Sequence, residues 1–192
     1  LKQLLVESGI DVVRDKVKIG PVPGAFLGEN KNFGVAAAKA LEAGLIDGFW
    51  ANGMGAEVAV RGGYGTMVID ARRGDGPPKA KYYTMSALIT SDAVINRNPE
   101  HAAAAVRALV KCQQALKRDV SLATKVGRKL FPEHEASLIA DVVARDLPYY
   151  DATVSPEFVA GMMEFQINQG LIEKPVAYED AVATRFASLW KP

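Results

Sequence analysis

The sequence predicts an α/β protein, with a parallel-sheet lobe followed by a mostly helical segment. Three observations carry that expectation. Strand-like and helix-like stretches alternate through residue 70, residues 71–80 are rich in structure breakers, and the pattern after Pro99 is helical throughout.

The elements follow in chain order. Leu1, Leu4 and Leu5, with Val6 beside them, share one helical face, and Gly9 suits the turn that closes it. Because the chain opens inside a helix and without Met, the expectation is that an N-terminal part precedes Leu1. Residues 17–22 read as a short strand stopped by Pro21, Pro23 and Gly24, and residues 35–43 as a helix ended by Gly44. Residues 46–51 are mostly apolar, as a strand covered on both faces should be. After Asn52 and Gly53 a short helix is expected over 54–61, stopped by Gly62 and Gly63, with a third strand at 66–69. The resulting β-α-β-α-β order with short links is that of a parallel sheet with helices on its faces.

Residues 71–80 hold Arg72, Arg73, Gly74, Asp75, Gly76, Pro77 and Pro78 and read as a linker. A strand is expected over 82–90, then a helix from Asn98-Pro99 through Leu116 that buries Ala102, Ala105, Val106, Leu109, Val110 and Cys112. Further helices are expected near 121–130, 133–146, 156–169 and 178–190.

Composition narrows the function classes. In 192 residues, 23 Lys and Arg balance 22 Asp and Glu, so no global field favours nucleic acid or an acidic membrane. A single cysteine, Cys112, excludes an intrachain disulfide and any multi-cysteine metal site, and its Ala-rich surroundings suggest a buried apolar role. No apolar run is long enough to cross a bilayer, and no signal-peptide pattern opens the chain.

Motifs for chemistry are largely missing. Gly53-Met54-Gly55 has Val58 where a dinucleotide fingerprint needs glycine, and no phosphate-loop Lys-Ser/Thr pair occurs. His101 and His134 are far apart and lack the i,i+4 partner of a metal-binding helix, so no metal and no cofactor are expected. There is no Gly-x-Ser-x-Gly elbow, and Glu133, Glu135 and Asp141 read as a solvated helix face. The basic stretch Lys111, Lys117, Arg118, Lys125, Arg128 and Lys129 lacks interleaved aromatics and reads the same way. The chain is expected to catalyse nothing.

In an open parallel sheet, ligands bind outside the carboxyl ends of the strands, here Gly24 and Ala25, Asn52 and Gly53, and Asp70. Asn52 is expected to cap the next helix, whose N–H groups from Gly53 through Met54 to Gly55 could then face an anion; capping alone already accounts for an Asn at this position. Among Phe49, Trp50, Tyr82 and Tyr83, core packing competes with stacking on an organic ligand.

The order Ala36-Ala37-Ala38-Lys39-Ala40-Leu41-Glu42-Ala43-Gly44-Leu45-Ile46-Asp47-Gly48-Phe49-Trp50 is followed by a Gly-rich turn, Asp70, Tyr82-Tyr83 and Asn98-Pro99-Glu100. With the closing Gly170-Leu171-Ile172, Pro175 and Glu179-Asp180, it resembles the nitrate, sulfonate, taurine and thiamine-precursor group of periplasmic solute-binding proteins. That resemblance implies two α/β lobes clamping a ligand, with residues 1–80 in the second lobe and 81–192 returning to the first. It implies the solute-binding component of an ABC-type importer, outside the cytoplasm, whose partners are a small organic solute, with sulfonate, carboxylate and nitrate types among the candidates, and the permease subunits. The implied protein is a monomer that binds no nucleic acid. Its implied ligand-binding residues are Gly24, Trp50, Asn52, Gly53, Met54, Asp70 and Tyr83.

Many relatives carry an acidic residue and proline where this chain has Asn52-Gly53-Met54, so no subgroup's ligand transfers. Two alternatives stay open: the effector-sensing domain of a transcription regulator, and an enzyme resembling thiamine-pyrimidine synthases, whose cysteine-rich motif Cys112 alone does not supply.

Overall fold

The computed structural model describes residues 1–24, 32–83 and 86–191. Nine α-helices occur among them: α1 (Lys2–Glu7), α2 (Phe33–Glu42), α3 (Gly53–Arg61), α4 (Asp92–Arg97), α5 (Pro99–Arg118), α6 (Ser121–Gly127), α7 (Glu133–Asp146), α8 (Pro156–Asn168) and α9 (Tyr178–Ala181). Short 3-10 turns lie at Ala71–Arg73, Ala80–Tyr82, Leu147–Tyr149 and Thr184–Leu189.

The expected parallel sheet is not there: no strand occurs among the described residues. Residues 17–22, 46–51 and 66–70 contain no helix, yet none has a neighbouring ladder. Their composition explains part of this result. Pro21 removes a ladder donor beside Gly20, Asp47-Gly48 interrupts the second run, and Val68 in the third is 86% exposed. An apolar run states what would pair with it, and a strand exists only when a second one does.

The expected strand over 82–90 is also corrected. Tyr82 ends a 3-10 turn, Thr84 and Met85 lie outside the described residues, and 86–90 have no helix, turn or strand partner among the described residues. Ala25 of the first expected ligand loop lies outside them as well.

Helices formed where capping and periodicity agree. Asn98 accepts the His101 N–H at 3.2 Å and Pro99 occupies the first helical position, starting the twenty-residue α5. Ser155 accepts the Phe158 N–H at 3.3 Å ahead of Pro156 in α8. The last expected helix is shorter than its pattern, since only Tyr178–Ala181 is α-helical before the 3-10 turn.

The α5 face is corrected in detail: Ala103 and Val110 are buried, whereas Leu109 and Cys112 are exposed. On α7, Glu133 and Asp141 are exposed as expected of a solvated face, but Glu135 is buried.

What positions the site is the packing of α2 on α3. Helix α2 buries Val35, Ala36, Ala37, Ala38 and Ala40, and α3 buries Gly55, Glu57 and Ala59. Residues this small let two backbones approach closely, most of all where Gly34 meets Gly55. Near the other end, Gly65 packs between Ala59 and Leu41, so the two helices run parallel and start at the same edge. Helix α7 then packs against α3.

Candidate functional site

Two helix N-termini therefore lie side by side, each with an asparagine cap. Asn32 Oδ1 accepts the N–H groups of Gly34 at 3.0 Å and Val35 at 3.3 Å, and Asn52 Oδ1 accepts that of Gly55 at 3.4 Å. The caps take three backbone donors, and the positive ends of two dipoles, about half a unit charge each, add at one place.

Two arginines reach the same spot. A Cβ built on Gly53 would stand 3.4 Å from Arg72 Nη1, 3.4 Å from Arg145 Nη2 and 3.3 Å from Val142 Cγ1. The glycine thus leaves a position bounded by two guanidinium groups and one methyl group.

Both arginines belong to an ion-pair network. Arg72 binds Asp70 through Nε at 2.9 Å and Nη2 at 2.8 Å, and also pairs with Asp146. Arg145 Nη1 lies 2.6 Å from Glu57 Oε2, and its Nε lies 3.4 Å from Asp146 Oδ1. Arg61 bridges Glu57 at 2.6 Å and Asp141 at 2.7 Å, and Arg73 reaches Asp70 at 3.4 Å. Among the described residues, Arg145 Nη2 is the one buried side-chain nitrogen or oxygen with no hydrogen-bond partner. It is the atom that borders Gly53.

Burial works to raise the Asp70 carboxyl pKa, but the hydrogen bonds and charge of Arg72 outweigh it and hold the group below its ordinary value. The bond to Asp70 raises Arg72 against the opposing effect of its own burial.

The expected site residues divide accordingly. Asn52, Gly53 and Met54 stand at the start of α3, and Asp70 is tied to that point through Arg72. Trp50 lies two residues before the cap and is 40% exposed. Gly24, with φ 73°, has nothing within 4 Å of an added Cβ among the described residues, so it makes no close contact with that point through such an atom.

Tyr83 packs on the small cluster of Leu4, Ala71 and Ala80, with its ring 5.2 Å from Phe165 and its hydroxyl bonded to Glu7. Burial, then the bond to Glu7, raises its pKa. Tyr82 likewise packs edge-on against Phe158. Both tyrosines serve as packing residues.

Sequence reasoning missed Asn32, Glu57, Arg145 and Asp146, and placed Arg72 in a linker. Asn32-Phe33-Gly34 beside Asn52-Gly53-Met54-Gly55, two Asn caps each leading into glycine, was the available signal for the first; nothing in the sequence marked the ion pairs across 88 or 74 positions. Two depressions lie elsewhere, about 260 Å³ beside Lys117, Tyr150 and Trp190, and about 450 Å³ beside Val159, Met163 and Tyr178.

The arrangement suits an anion held by backbone and guanidinium donors. Among the described residues no group of His, Cys, Asp and Glu is placed to hold a metal ion, and no helix is long and apolar enough to cross a membrane. Compared with protein-family models, curated proteins and solved structures, the chain matches none.

Proposed function

We propose that this chain is part of the solute-binding component of an ABC-type importer, acting outside the cytoplasm. It captures a small anionic organic solute, of sulfonate, carboxylate or nitrate type, for permease subunits and leaves it chemically unchanged. The transport half of this reading rests on the ordered sequence resemblance from Ala36 to Asp180. The anionic half rests on one observation, the position at Gly53 bordered by Arg72, Arg145 and the joined starts of α2 and α3. The argument from strand ends falls with the sheet, but the argument from helix ends does not need it.

Calorimetric titration with an alkylsulfonate, a carboxylate and nitrate, each beside a neutral isostere, tests the reading. Gly53→Ala places a methyl group where the anion would sit and should weaken binding at least about tenfold while the protein stays folded. Asn52→Ala should lower stability by about 0.5–1 kcal/mol, the low end for a cap because its bond is long, and weaken binding by a further hydrogen bond's worth, about 0.5–1.5 kcal/mol. Equal affinity for anion and neutral isostere, or an unchanged dissociation constant in Gly53→Ala, rejects the site. Product analysis showing repeated turnover of the solute rejects the binding-protein reading.

A further inference from the structure

We propose that the depression formed by α5, residues 150–153 and the end of the last 3-10 turn is a second ligand site, one that takes a zwitterionic α-amino acid with an aromatic side chain. The inference goes beyond the importer reading and does not depend on it.

The fold builds this depression from three segments far apart in sequence. The 3-10 turns Leu147–Tyr149 and Thr184–Leu189 both pack against α5. Tyr150 and Trp190, the residues that follow those turns, line the same hollow. Val110 of α5, which is 7% exposed, is its most buried lining residue. The volume is about 260 Å³, just under the roughly 300–1,000 Å³ of pockets for drug-sized molecules. The occupant is therefore of metabolite size.

The rings call for an aromatic side chain. Tyr82 and Tyr83 each pack on a phenylalanine ring, whereas half-buried Tyr150 and Trp190 have no ring partner among the described residues. Each brings a large apolar surface to the hollow with no other ring packed on it. The side-chain amides of Gln113 and Gln114 and the Trp190 indole N–H, on the same lining, form no hydrogen bond among the described residues.

The charges call for a zwitterion. Lys117, Asp151 and Lys191 line the hollow, all three are exposed, and none belongs to an ion pair among the described residues. Lys117 Nζ donates to the Tyr150 carbonyl oxygen at 3.3 Å, and the Thr153 N–H donates to Asp151 Oδ1 at 2.8 Å. Backbone bonds thus place both charges without joining them. Elsewhere exposed opposite charges close up, as Arg61 does with Asp141 at 2.7 Å. A molecule with an ammonium and a carboxylate on one carbon bridges such a gap, giving its ammonium to Asp151 and its carboxylate to the lysines. A simple anion would meet Asp151, and a simple cation would meet two ammonium groups. Burial, then the charge of Asp146, raises the Tyr150 hydroxyl pKa, so the ring adds no second anion to the lining.

Calorimetric titration with phenylalanine, phenylpropionate, which lacks the ammonium, and phenylethylamine, which lacks the carboxylate, tests the assignment. Phenylalanine should bind at least about tenfold more tightly than either analogue. Asp151→Asn keeps the oxygen that accepts the Thr153 N–H, and it should abolish the advantage over phenylpropionate without weakening phenylpropionate itself. Lys117→Gln with Lys191→Gln should bring phenylalanine down to the affinity of phenylethylamine. In a Trp50→Phe background the remaining fluorescence of Trp190 should change as phenylalanine saturates. Gly53→Ala should leave phenylalanine binding as it is, so this site and the anion site fail separately. No phenylalanine binding up to about 10 mM, equal affinity for the three compounds, equal weakening of all three by Asp151→Asn, a silent Trp190, or loss of phenylalanine binding in Gly53→Ala each overturns the proposal.

Discussion

The close contact between Gly34 and Gly55 makes the joined helix starts the most sensitive point of the fold, and Gly55→Ala probes it directly. A Cβ there would stand 2.4 Å from the Gly34 carbonyl oxygen, 2.6 Å from its carbon and 2.8 Å from its Cα. All three are backbone atoms, so no side chain can rotate away, and α2 and α3 must part by about 1 Å to restore ordinary contact distances. Overpacking of this kind costs about 1–3 kcal/mol, while replacing a helical glycine by alanine returns up to about 1 kcal/mol. The net expectation is a loss of about 1–2 kcal/mol, with the upper end favoured because the strain falls on backbone. Gly127→Ala is the control: its Cβ would meet Ile139 Cδ1 at 2.5 Å, the movable tip of a side chain. That variant should change stability by less than about 1 kcal/mol. Urea unfolding followed by far-ultraviolet circular dichroism measures both. A Gly55→Ala midpoint equal to or above the parent's, or a larger loss in Gly127→Ala, would refute the close-contact argument.

Two further outcomes follow from the charges and the thiol. Because the folded Asp70 pKa is lowered, the stability it contributes is complete above its unfolded value, about 3.9, and is lost as pH falls through the folded value beneath that. Asp70→Asn should therefore flatten the acid side of the stability curve, and an unchanged acid slope in denaturant midpoints measured below pH 5 counts against the Arg72–Asp70 pair. Cys112 is exposed on α5, so a thiol reagent should label it to one equivalent under native conditions at close to the rate of the unfolded chain. Strong native protection would restore the buried role that its Ala-rich surroundings suggested.

The sequence made the helices legible and suggested a sheet that is not there among the described residues, for a common reason. Helix starts are local: Asn52, Asn98 and Ser155 each satisfy backbone N–H groups within three residues of themselves, so pattern and structure agree there. A strand is a relation between distant segments. Residues 46–51 and 66–69 have an apolar composition fit for a covered strand, but nothing local specifies a partner, and they remain single runs. The candidate site divides along the same line. Asn52 and Gly53 were readable from a cap and a glycine, while Arg145, which reaches Glu57 across 88 positions, carries no local mark. Tyr83 stayed open between two roles in the sequence, because an aromatic near a linker looks the same there whether it faces a ligand or packs, as here, on Leu4 and Phe165.

The charges around Gly53 also say what kind of anion site this is. Arg61, Arg72, Arg73 and Arg145 are matched by Glu57, Asp70, Asp141 and Asp146, so the network is formally neutral. The local surplus of positive charge therefore comes from the two helix ends, and the single unpartnered nitrogen of Arg145 adds a free hydrogen-bond donor. A dipole field of this origin fades within the first turn of each helix, unlike the field of an unpaired lysine cluster, which reaches about 10 Å at moderate salt. Capture at Gly53 would then depend on close fit and hydrogen bonding more than on long-range attraction. A binding constant that changes little with added inert salt belongs with this geometry, and a steep dependence belongs with a diffuse basic surface instead.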